Sequence, residues 1–215
     1  MINKIAYLEP KGKPKQLVVF LHGYGSNKDD LISLSEHFAR VLPEALFISP
    51  NAPHSCGFMS DGYSWFSLDG VDVNKKTIPD YVKKDLNNSV EELNEFVDKI
   101  LVEYEISPEN IYFIGFSQGA TMSIYASIKR EVPVKAVLSY SGFCFEKMDV
   151  ISKPDVVGVV HGKLDDVLPF LWHEENINKL KEQEINAKQL AVDNAYHEIP
   201  LEAIEFGKVI LKESL

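Results

Sequence analysis

Short apolar runs alternate with longer amphipathic stretches along this chain. Such alternation is typical of a β-sheet whose strands are connected by helices. The strand candidates carry Val, Ile, Leu and Phe at consecutive positions, as expected for parallel strands buried on both faces. We therefore predict an α/β fold with one mostly parallel sheet and helices on both faces. The predicted strands span residues 17–21, 46–49, 111–115, 136–140, 156–160 and 187–192.

The clearest predicted helix spans residues 79–104, where apolar side chains recur every three or four positions and form one stripe. At its start, Thr77 and Asp80 predict a capping box, and Pro79 suits the first turn. Further helices are predicted over residues 30–41, 118–130, 172–183 and 200–212.

The composition is that of an ordinary soluble protein, because 45% of the 215 residues are hydrophobic and 25% are charged. We predict one domain over residues 1–215. The net charge of −10 repels nucleic acids and anionic bilayers, so we expect no nucleic-acid partner and no stable membrane insertion. Cys56 and Cys144 lack metal or redox spacing, which favours buried thiols and a cytoplasmic location.

The candidate chemistry begins at Gly115-Phe116-Ser117-Gln118-Gly119, between a predicted strand and a predicted helix. A G-x-S-x-G sequence in that context is typical of a nucleophile elbow. The turn strains the serine, and small residues are needed two positions before and after it, where strand and helix crowd together. A serine hydroxyl needs a histidine to accept its proton. Ser117 is therefore the predicted nucleophile.

Three histidines follow Ser117, and the chain order of serine, acid and histidine in α/β-hydrolases distinguishes them. His197 lies between the last predicted strand and the last predicted helix, where the general base is expected. His161 precedes the candidate acid and is expected to be structural. His173 is expected on a solvated helix face. We predict His197 as the base.

Two adjacent carboxylates, Asp165 and Asp166, are candidates for the acid in the loop H-G-x-x-D-x-x-x-P at residues 161–169. We favour Asp165, whose side chain would close the turn, and expect Asp166 to cap the loop. The acid would hold the imidazole in the correct tautomer and stabilise the imidazolium.

The negative charge that develops on the substrate requires backbone N–H donors. Gln118 would supply one from the start of its helix. Tyr24 would supply the second from the loop His22-Gly23-Tyr24-Gly25, which follows the strand at 17–21. His22 is expected to organise this loop rather than to act in catalysis.

With these residues the chain resembles the phospholipase/carboxylesterase family of α/β-hydrolases, which includes the acyl-protein thioesterases. The resemblance implies Ser117, Asp165 and His197 as the catalytic triad. It also implies Tyr24 and Gln118 as oxyanion donors, and a small fold with a minimal lid that acts on carboxylic esters or acyl thioesters. The matching pieces, in family order, are Leu21-His22-Gly23-Tyr24-Gly25-Ser26, Ser49-Pro50-Asn51-Ala52-Pro53, Trp65-Phe66, Gly115-Phe116-Ser117-Gln118-Gly119-Ala120, His161-Gly162 with Asp165, and His197.

Three departures from the family pattern favour a bacterial-type carboxylesterase over a protein depalmitoylase. Ser67 stands where many relatives have an aspartate. Tyr24 replaces the leucine usual in eukaryotic thioesterases. Residues 194–196 lack the glycines often found before the histidine.

The segment 51–76 fits neither a helix nor a strand and carries the large apolar residues Phe58, Met59, Trp65 and Phe66. Loops this long inside compact domains are usually functional or mobile. An acyl chain requires a concave apolar surface. We predict that Trp65 and Phe66 bind the substrate; the equal alternative is that they fill the core beside the loop.

The predicted function is a serine hydrolase that forms an acyl-enzyme on Ser117, as a carboxylesterase, lysophospholipase or acyl-protein thioesterase does. Its substrate would be a small-molecule ester or thioester, an acyl-lipid or an acylated protein. We expect no cofactor or metal, and a monomer or homodimer. The alternative is a non-catalytic small-molecule-binding protein on the same fold. A dehalogenase would need an aspartate at the elbow, and a peptidase would be expected to carry a substrate-gating domain.

The assignment of His197 as base predicts that activity declines on acidification, because a protonated imidazole cannot accept the serine proton. The measurement is kcat/KM for a p-nitrophenyl ester between pH 5 and 8. A flat profile in the intact enzyme would contradict the assignment.

Overall fold

The computed structural model describes residues 2, 4–56, 61–75, 77–145 and 148–215. The helices are α1 (Lys28–Leu31), α2 (Ser35–Phe38), α3 (Asp80–Tyr104), α4 (Gln118–Ile128), α5 (Leu171–Glu182) and α6 (Leu201–Glu213). The strands are β1 (Ile5–Leu8), β2 (Gln16–Leu21), β3 (Ala45–Pro50), β4 (His54–Ser55), β5 (Tyr63–Ser64), β6 (Ile111–Phe116), β7 (Ala136–Tyr140), β8 (Val156–Gly162) and β9 (Ala187–Val192).

Seven of these strands form one sheet in the order β1-β3-β2-β6-β7-β8-β9. β1 pairs antiparallel with β3, whereas all the other neighbouring pairs in this sheet are parallel. β4 and β5 form a separate two-stranded antiparallel pair. The predicted α/β fold with a mostly parallel sheet is confirmed.

Hydrophobic cores lie on both faces of the sheet, because successive strand residues point in opposite directions. In β2, Leu17, Val19 and Leu21 pack with residues of α3, α4 and α5. Val18 and Phe20 point to the other face and pack with residues of α2 and α6. Every residue of α4 is buried, so this helix is the most enclosed of the structure.

The parallel strands all end at the same edge of the sheet, so the loops after β2, β6, β8 and β9 lie near one another. β2 lies between β3 and β6, and the chain passes from β2 to one side before it crosses to the other. Crevices at such a switch of direction are the usual ligand sites of open α/β sheets. Each predicted catalytic residue follows one of these strand ends.

The structure corrects the predicted helix over 30–41, which is broken into α1, a 3₁₀ turn (Ile32–Leu34) and α2. The hydroxyl of Ser33 donates to the carbonyl of Asp30 at 3.2 Å. Such local bonds compete with the helical hydrogen-bond ladder. The prediction of one continuous helix therefore missed this interruption.

The predicted capping box at the start of α3 is wrong. Pro79 is the N-cap residue, with ψ 148°, and no side chain caps this end. Thr77 instead forms a pair of backbone hydrogen bonds with Asp72, at 2.9 and 3.0 Å. This pairing holds Thr77 outside the helix, where it cannot act as the cap.

The two edges of the sheet also differ from the prediction. β1 was not predicted, because its four residues are too few and too exposed to give a clear apolar run. β9 was predicted as buried on both faces, but Lys188 and Gln189 are exposed. An edge strand has a neighbour on one side only, which leaves part of its surface to solvent. Within the described part of the chain, every helix is too short or too polar to reach across a bilayer.

His173 on α5 contradicts the expectation of a solvated face, since only 3% of the residue is exposed. Burial lowers the pKa of His173 to about 4, with a further lowering from the neighbouring His161, although a hydrogen bond with Gln189 opposes the shift. The imidazole of His173 stacks on the ring of Phe170, with the centroids 5.1 Å apart. His173 is therefore a neutral core residue.

The buried His173 predicts a loss of stability in acid. Between pH 6.5 and about 4, His173 takes up a proton in the unfolded chain but not in the folded one, so the free energy of unfolding falls as the pH drops. Replacement by a neutral residue, His173→Gln, should reduce this fall by ~2 kcal/mol. Urea unfolding at pH 7 and at pH 4.5 measures the difference; parallel changes in the two proteins would contradict it.

Candidate active site

Ser117 lies in a tight turn between β6 and α4, with φ 55° and ψ −117°. This positive φ is strained for a residue with a side chain. A Cβ on Gly115 would lie 2.1 Å from the carbonyl oxygen of Gly119, and one on Gly119 would lie 1.9 Å from that of Leu21. Both positions therefore require glycine, which is the crowding that the sequence motif predicted.

The structure brings together the three side chains predicted as the triad. Nε2 of His197 lies 3.0 Å from Oγ of Ser117. Nδ1 of His197 lies 2.8 Å from Oδ2 of Asp165. Because a carboxylate oxygen only accepts, Nδ1 carries the proton, and Nε2 is left to accept the hydroxyl proton of Ser117.

Asp165 is fully buried at its side chain and makes hydrogen bonds through both oxygens. Oδ1 accepts from the backbone N–H groups of Val167 and Leu168, at 3.0 and 2.8 Å, which closes the turn as predicted. Oδ2 contacts both His197 and Nε2 of His161, the latter at 3.2 Å. Burial alone would raise the pKa of the carboxyl, but hydrogen bonds from His161, His197 and Leu168 hold it well below its usual range.

The other two candidates from this region lie outside the serine–histidine contact. Asp166 is exposed, and the carboxylate that caps the loop is that of Asp165. His161 is fully buried and bonds through Nε2 to the carbonyl of Leu168 at 2.9 Å, which fits a structural role. Its contact with the carboxylate of Asp165 was not predicted, although the four-residue spacing in H-G-x-x-D could have indicated it.

Close packing against the end of β8 positions the loop that carries His197. A Cβ on Gly162 would lie 2.3 Å from the carbonyl oxygen of Ala195 and 2.5 Å from that of Tyr196. The N–H of Leu164 donates to the carbonyl of Ala195 at 3.0 Å. The imidazole also lies over the ring of Phe116, with the centroids 4.7 Å apart. The loop after β9 is thereby fixed against the loops after β6 and β8.

The predicted oxyanion loop lies directly against Ser117, the predicted nucleophile. A Cβ on Gly23 would lie 3.5 Å from Cβ of Ser117, and Gly25 has φ 77°, a conformation that favours glycine. His22 accepts the N–H of Ala52 at Nε2 (3.0 Å) and donates from Nδ1 to the carbonyl of Gly23 (2.8 Å). His22 therefore organises the loop, as expected, and burial lowers its pKa.

Gln118 and Tyr24 occupy the positions expected of oxyanion donors. Gln118 is the first residue of α4, and the first N–H groups of a helix have no partner within it. Tyr24 follows Gly23 at the surface and is 41% exposed. The donor roles of both N–H groups stay a prediction.

Trp65 and Phe66, predicted to bind substrate, are both completely buried. Phe66 packs edge-on against Phe143 and Phe145, with centroids 6.5 and 6.3 Å away. This geometry fits the alternative that both rings fill the core beside the loop, and a substrate-binding role stays a prediction. Phe58 and Met59 lie outside the described residues.

The remaining reactive groups of the described chain do not add a second site. Cys56 and Cys144 are both free thiols and buried, as predicted. No three His, Cys, Asp or Glu side chains among the described residues lie together as a metal site would require.

A family model described as phospholipase/carboxylesterase matches residues 3–214, nearly the whole chain. The chain belongs to this family. The resemblance found in the sequence motifs is thereby confirmed, and family membership places the protein among the carboxylic ester hydrolases.

Individual relatives agree with this membership. The chain is 25% identical over 207 residues to acyl-protein thioesterase 1 homolog 1 of Dictyostelium discoideum. This match covers 92% of this chain and 90% of that protein. The solved structure of esterase PE8 matches with a TM-score of 0.88 and 32% identity over 98% of both chains. The Bacillus cereus carboxylesterase matches with a TM-score of 0.83 over 99% of this chain and 94% of that chain; at 23% identity this likeness shows the fold alone.

The crowding at the elbow predicts that Gly119→Ala severely destabilises the protein. The added methyl would collide with the backbone of Leu21, which cannot move without displacing β2, so we expect a loss of about 3 kcal/mol or more. Gly12→Ala is the matched control, because no atom lies within 4 Å of its added Cβ, and its effect should stay within about 0.5 kcal/mol. Urea unfolding measures both; equal stability of the two variants would contradict the prediction.

Proposed function

We propose that the protein is a serine hydrolase that cleaves carboxylic esters or acyl thioesters through an acyl-enzyme on Ser117. The observation that supports this proposal is the hydrogen-bonded series from Asp165 through His197 to Ser117, with contacts of 2.8 and 3.0 Å. Both distances lie within the reach required for proton transfer between a nucleophile and its base. The positive φ at Ser117 is the strain expected of a nucleophile elbow.

In the first step, Oγ of Ser117 attacks the carbonyl carbon of the substrate while its proton passes to Nε2 of His197. The carbonyl oxygen becomes an oxyanion, which accepts hydrogen bonds from the N–H groups of Tyr24 and Gln118. Asp165 stabilises the imidazolium through Nδ1–H. The carboxylate is ionised for this purpose, because its hydrogen bonds hold its pKa well below the usual range.

In the second step, His197 gives the proton to the departing alcohol or thiol, and the carbonyl re-forms as the Ser117 ester. A water molecule then attacks this ester while His197 again accepts a proton. Collapse of the second tetrahedral intermediate releases the carboxylic acid and restores the hydroxyl of Ser117. The same groups therefore serve both halves of the reaction.

The substrate class follows the family: a small ester or thioester, an acyl-lipid or an acylated protein. The curated relative in Dictyostelium discoideum is an acyl-protein thioesterase, whereas the matched structures carry the names esterase and carboxylesterase. The two buried free cysteines support a reducing, cytoplasmic location. A non-catalytic binding protein would not need a base, an acid and a serine in hydrogen-bonded contact, so it is the less favoured alternative.

An active-site probe tests the proposal. A fluorophosphonate should label the native protein, and Ser117→Ala should abolish both labelling and hydrolysis of a short p-nitrophenyl ester. Ser127→Ala is the matched control, since Ser127 is a buried serine on the same helix whose hydroxyl bonds to the carbonyl of Ile124. This variant should be labelled like the wild type. A folded wild-type protein that takes no label would contradict the proposal.

The preferred substrate can be measured with the same protein. Esters and acyl-thiols of matched chain length, from two carbons upward, separate ester from thioester preference in kcat/KM. Equal and negligible rates on both series would favour the non-catalytic alternative.

A further inference from the structure

Residues 63–66 run between the two loops that carry the proposed oxyanion donors. They lie near the middle of the segment 51–76, and both Trp65 and Phe66 are completely buried. Their hydrogen bonds reach the oxyanion loop on one side and the nucleophile elbow on the other. Residues 63–66 therefore connect the two regions that carry the proposed oxyanion donors.

The oxyanion loop is bonded to this segment both before and after Tyr24. The indole N–H of Trp65 donates to the carbonyl of His22 at 2.9 Å. The N–H of Gly25 donates to the carbonyl of Tyr63 at 2.9 Å, and the N–H of Tyr63 donates to the carbonyl of Ser26 at 2.8 Å. The position of the Tyr24 N–H is therefore set by residues 63–65.

The elbow is bonded to the same segment through the side chain of Gln118. Its Oε1 accepts the N–H of Trp65 at 2.8 Å, and its Nε2 donates to the carbonyl of Phe66 at 2.7 Å. Gln118 is only 2% exposed, so these bonds are shielded from water. Gln118, which would present the second oxyanion donor, is thus held through its side chain to the backbone N–H of Trp65 and the backbone carbonyl of Phe66.

We propose that Trp65 is a positioning residue that sets the spacing between the Tyr24 and Gln118 N–H groups. Its indole N–H binds the loop of one donor, and its backbone N–H binds the side chain of the other. The inference rests on the proposed function, because it assumes that these two groups bind the oxyanion. It replaces the acyl-binding role predicted for Trp65 from the sequence.

The physical basis is that an oxyanion hole stabilises charge only when its donors are fixed in advance. The loop at residues 22–25 contains no helix or strand that would hold it rigid. An error of 1 Å in the placement of reacting groups can cost about 10²-fold in rate. Trp65 restrains this loop further, since its ring also packs on the imidazole of His22, with the centroids 5.4 Å apart.

The test removes the indole donor and keeps an aromatic ring. Trp65→Phe should lower kcat about 10–100-fold on a p-nitrophenyl ester, because both steps pass through an oxyanion, while KM changes by less than about threefold. Binding of a trifluoromethyl ketone, which forms a tetrahedral adduct, should weaken by the same factor as kcat/KM. A role in folding alone would not produce this parallel loss.

Trp172→Phe is the matched control. The indole N–H of Trp172 also donates to a backbone carbonyl, that of Val73 at 3.0 Å, and the residue is 1% exposed. The same chemical change on α5 should lower the melting temperature to a similar extent and leave kcat within about twofold of the wild type. A loss of kcat in Trp172→Phe as large as in Trp65→Phe would overturn the proposal.

A second variant tests the hydrogen bonds between the side chain of Gln118 and residues 65 and 66. Gln118→Met removes both side-chain hydrogen bonds to residues 65 and 66 but keeps the backbone N–H. It should reproduce the loss of kcat at unchanged KM, and it decides the question if Trp65→Phe fails to fold. Wild-type kcat in the folded variants, or a raised KM at unchanged kcat, would overturn the proposal. The raised KM would support instead the substrate-binding role predicted for Trp65 from the sequence.

Ser117→Ala, measured in parallel, separates the two proposals. Activity that survives in Ser117→Ala would overturn the proposed function and the inference with it. An inactive Ser117→Ala together with a fully active Trp65→Phe would overturn the positioning role alone.

Discussion

The contact between the backbones of the elbow and of strand β2 is the constraint on which the site depends. Gly119 lies so close to Leu21 that no side chain fits between them, and Gly115 is equally close to Gly119. This crowding forces Ser117 into its positive φ and places its hydroxyl above the edge of the sheet. It also brings Gly23 against Ser117, so one packing requirement places the proposed nucleophile and the proposed oxyanion loop together.

The burial of Asp165 is the second requirement, because a buried charge is costly unless hydrogen bonds compensate for it. Two backbone N–H groups bind one oxygen of Asp165, and two imidazoles contact the other. Those bonds outweigh the effect of burial on its pKa.

The sequence predicted the six parallel strands of the sheet but not the antiparallel edge strand β1, and it predicted that Ser117, Asp165 and His197 lie together at the ends of parallel strands. Motif and chain order identify these residues because strand ends at one edge must carry them. Features that arise from tertiary contacts could not be predicted. The burial of His173 depends on Phe170 and Gln189, and the bonds of Trp65 depend on residues 22 and 118, which are distant along the chain.

The position of β9 has a consequence for inactivation by heat or denaturant. This edge strand is partly exposed and has β8 as its single neighbour, yet the loop that follows it carries the imidazole. Edge elements with exposed hydrogen bonds open more readily than the centre of a sheet. Detachment of this edge strand alone would separate His197 from Ser117, the proposed nucleophile, while the rest of the sheet is still folded. Loss of turnover would then precede global melting and would be reversed when the strand docks again.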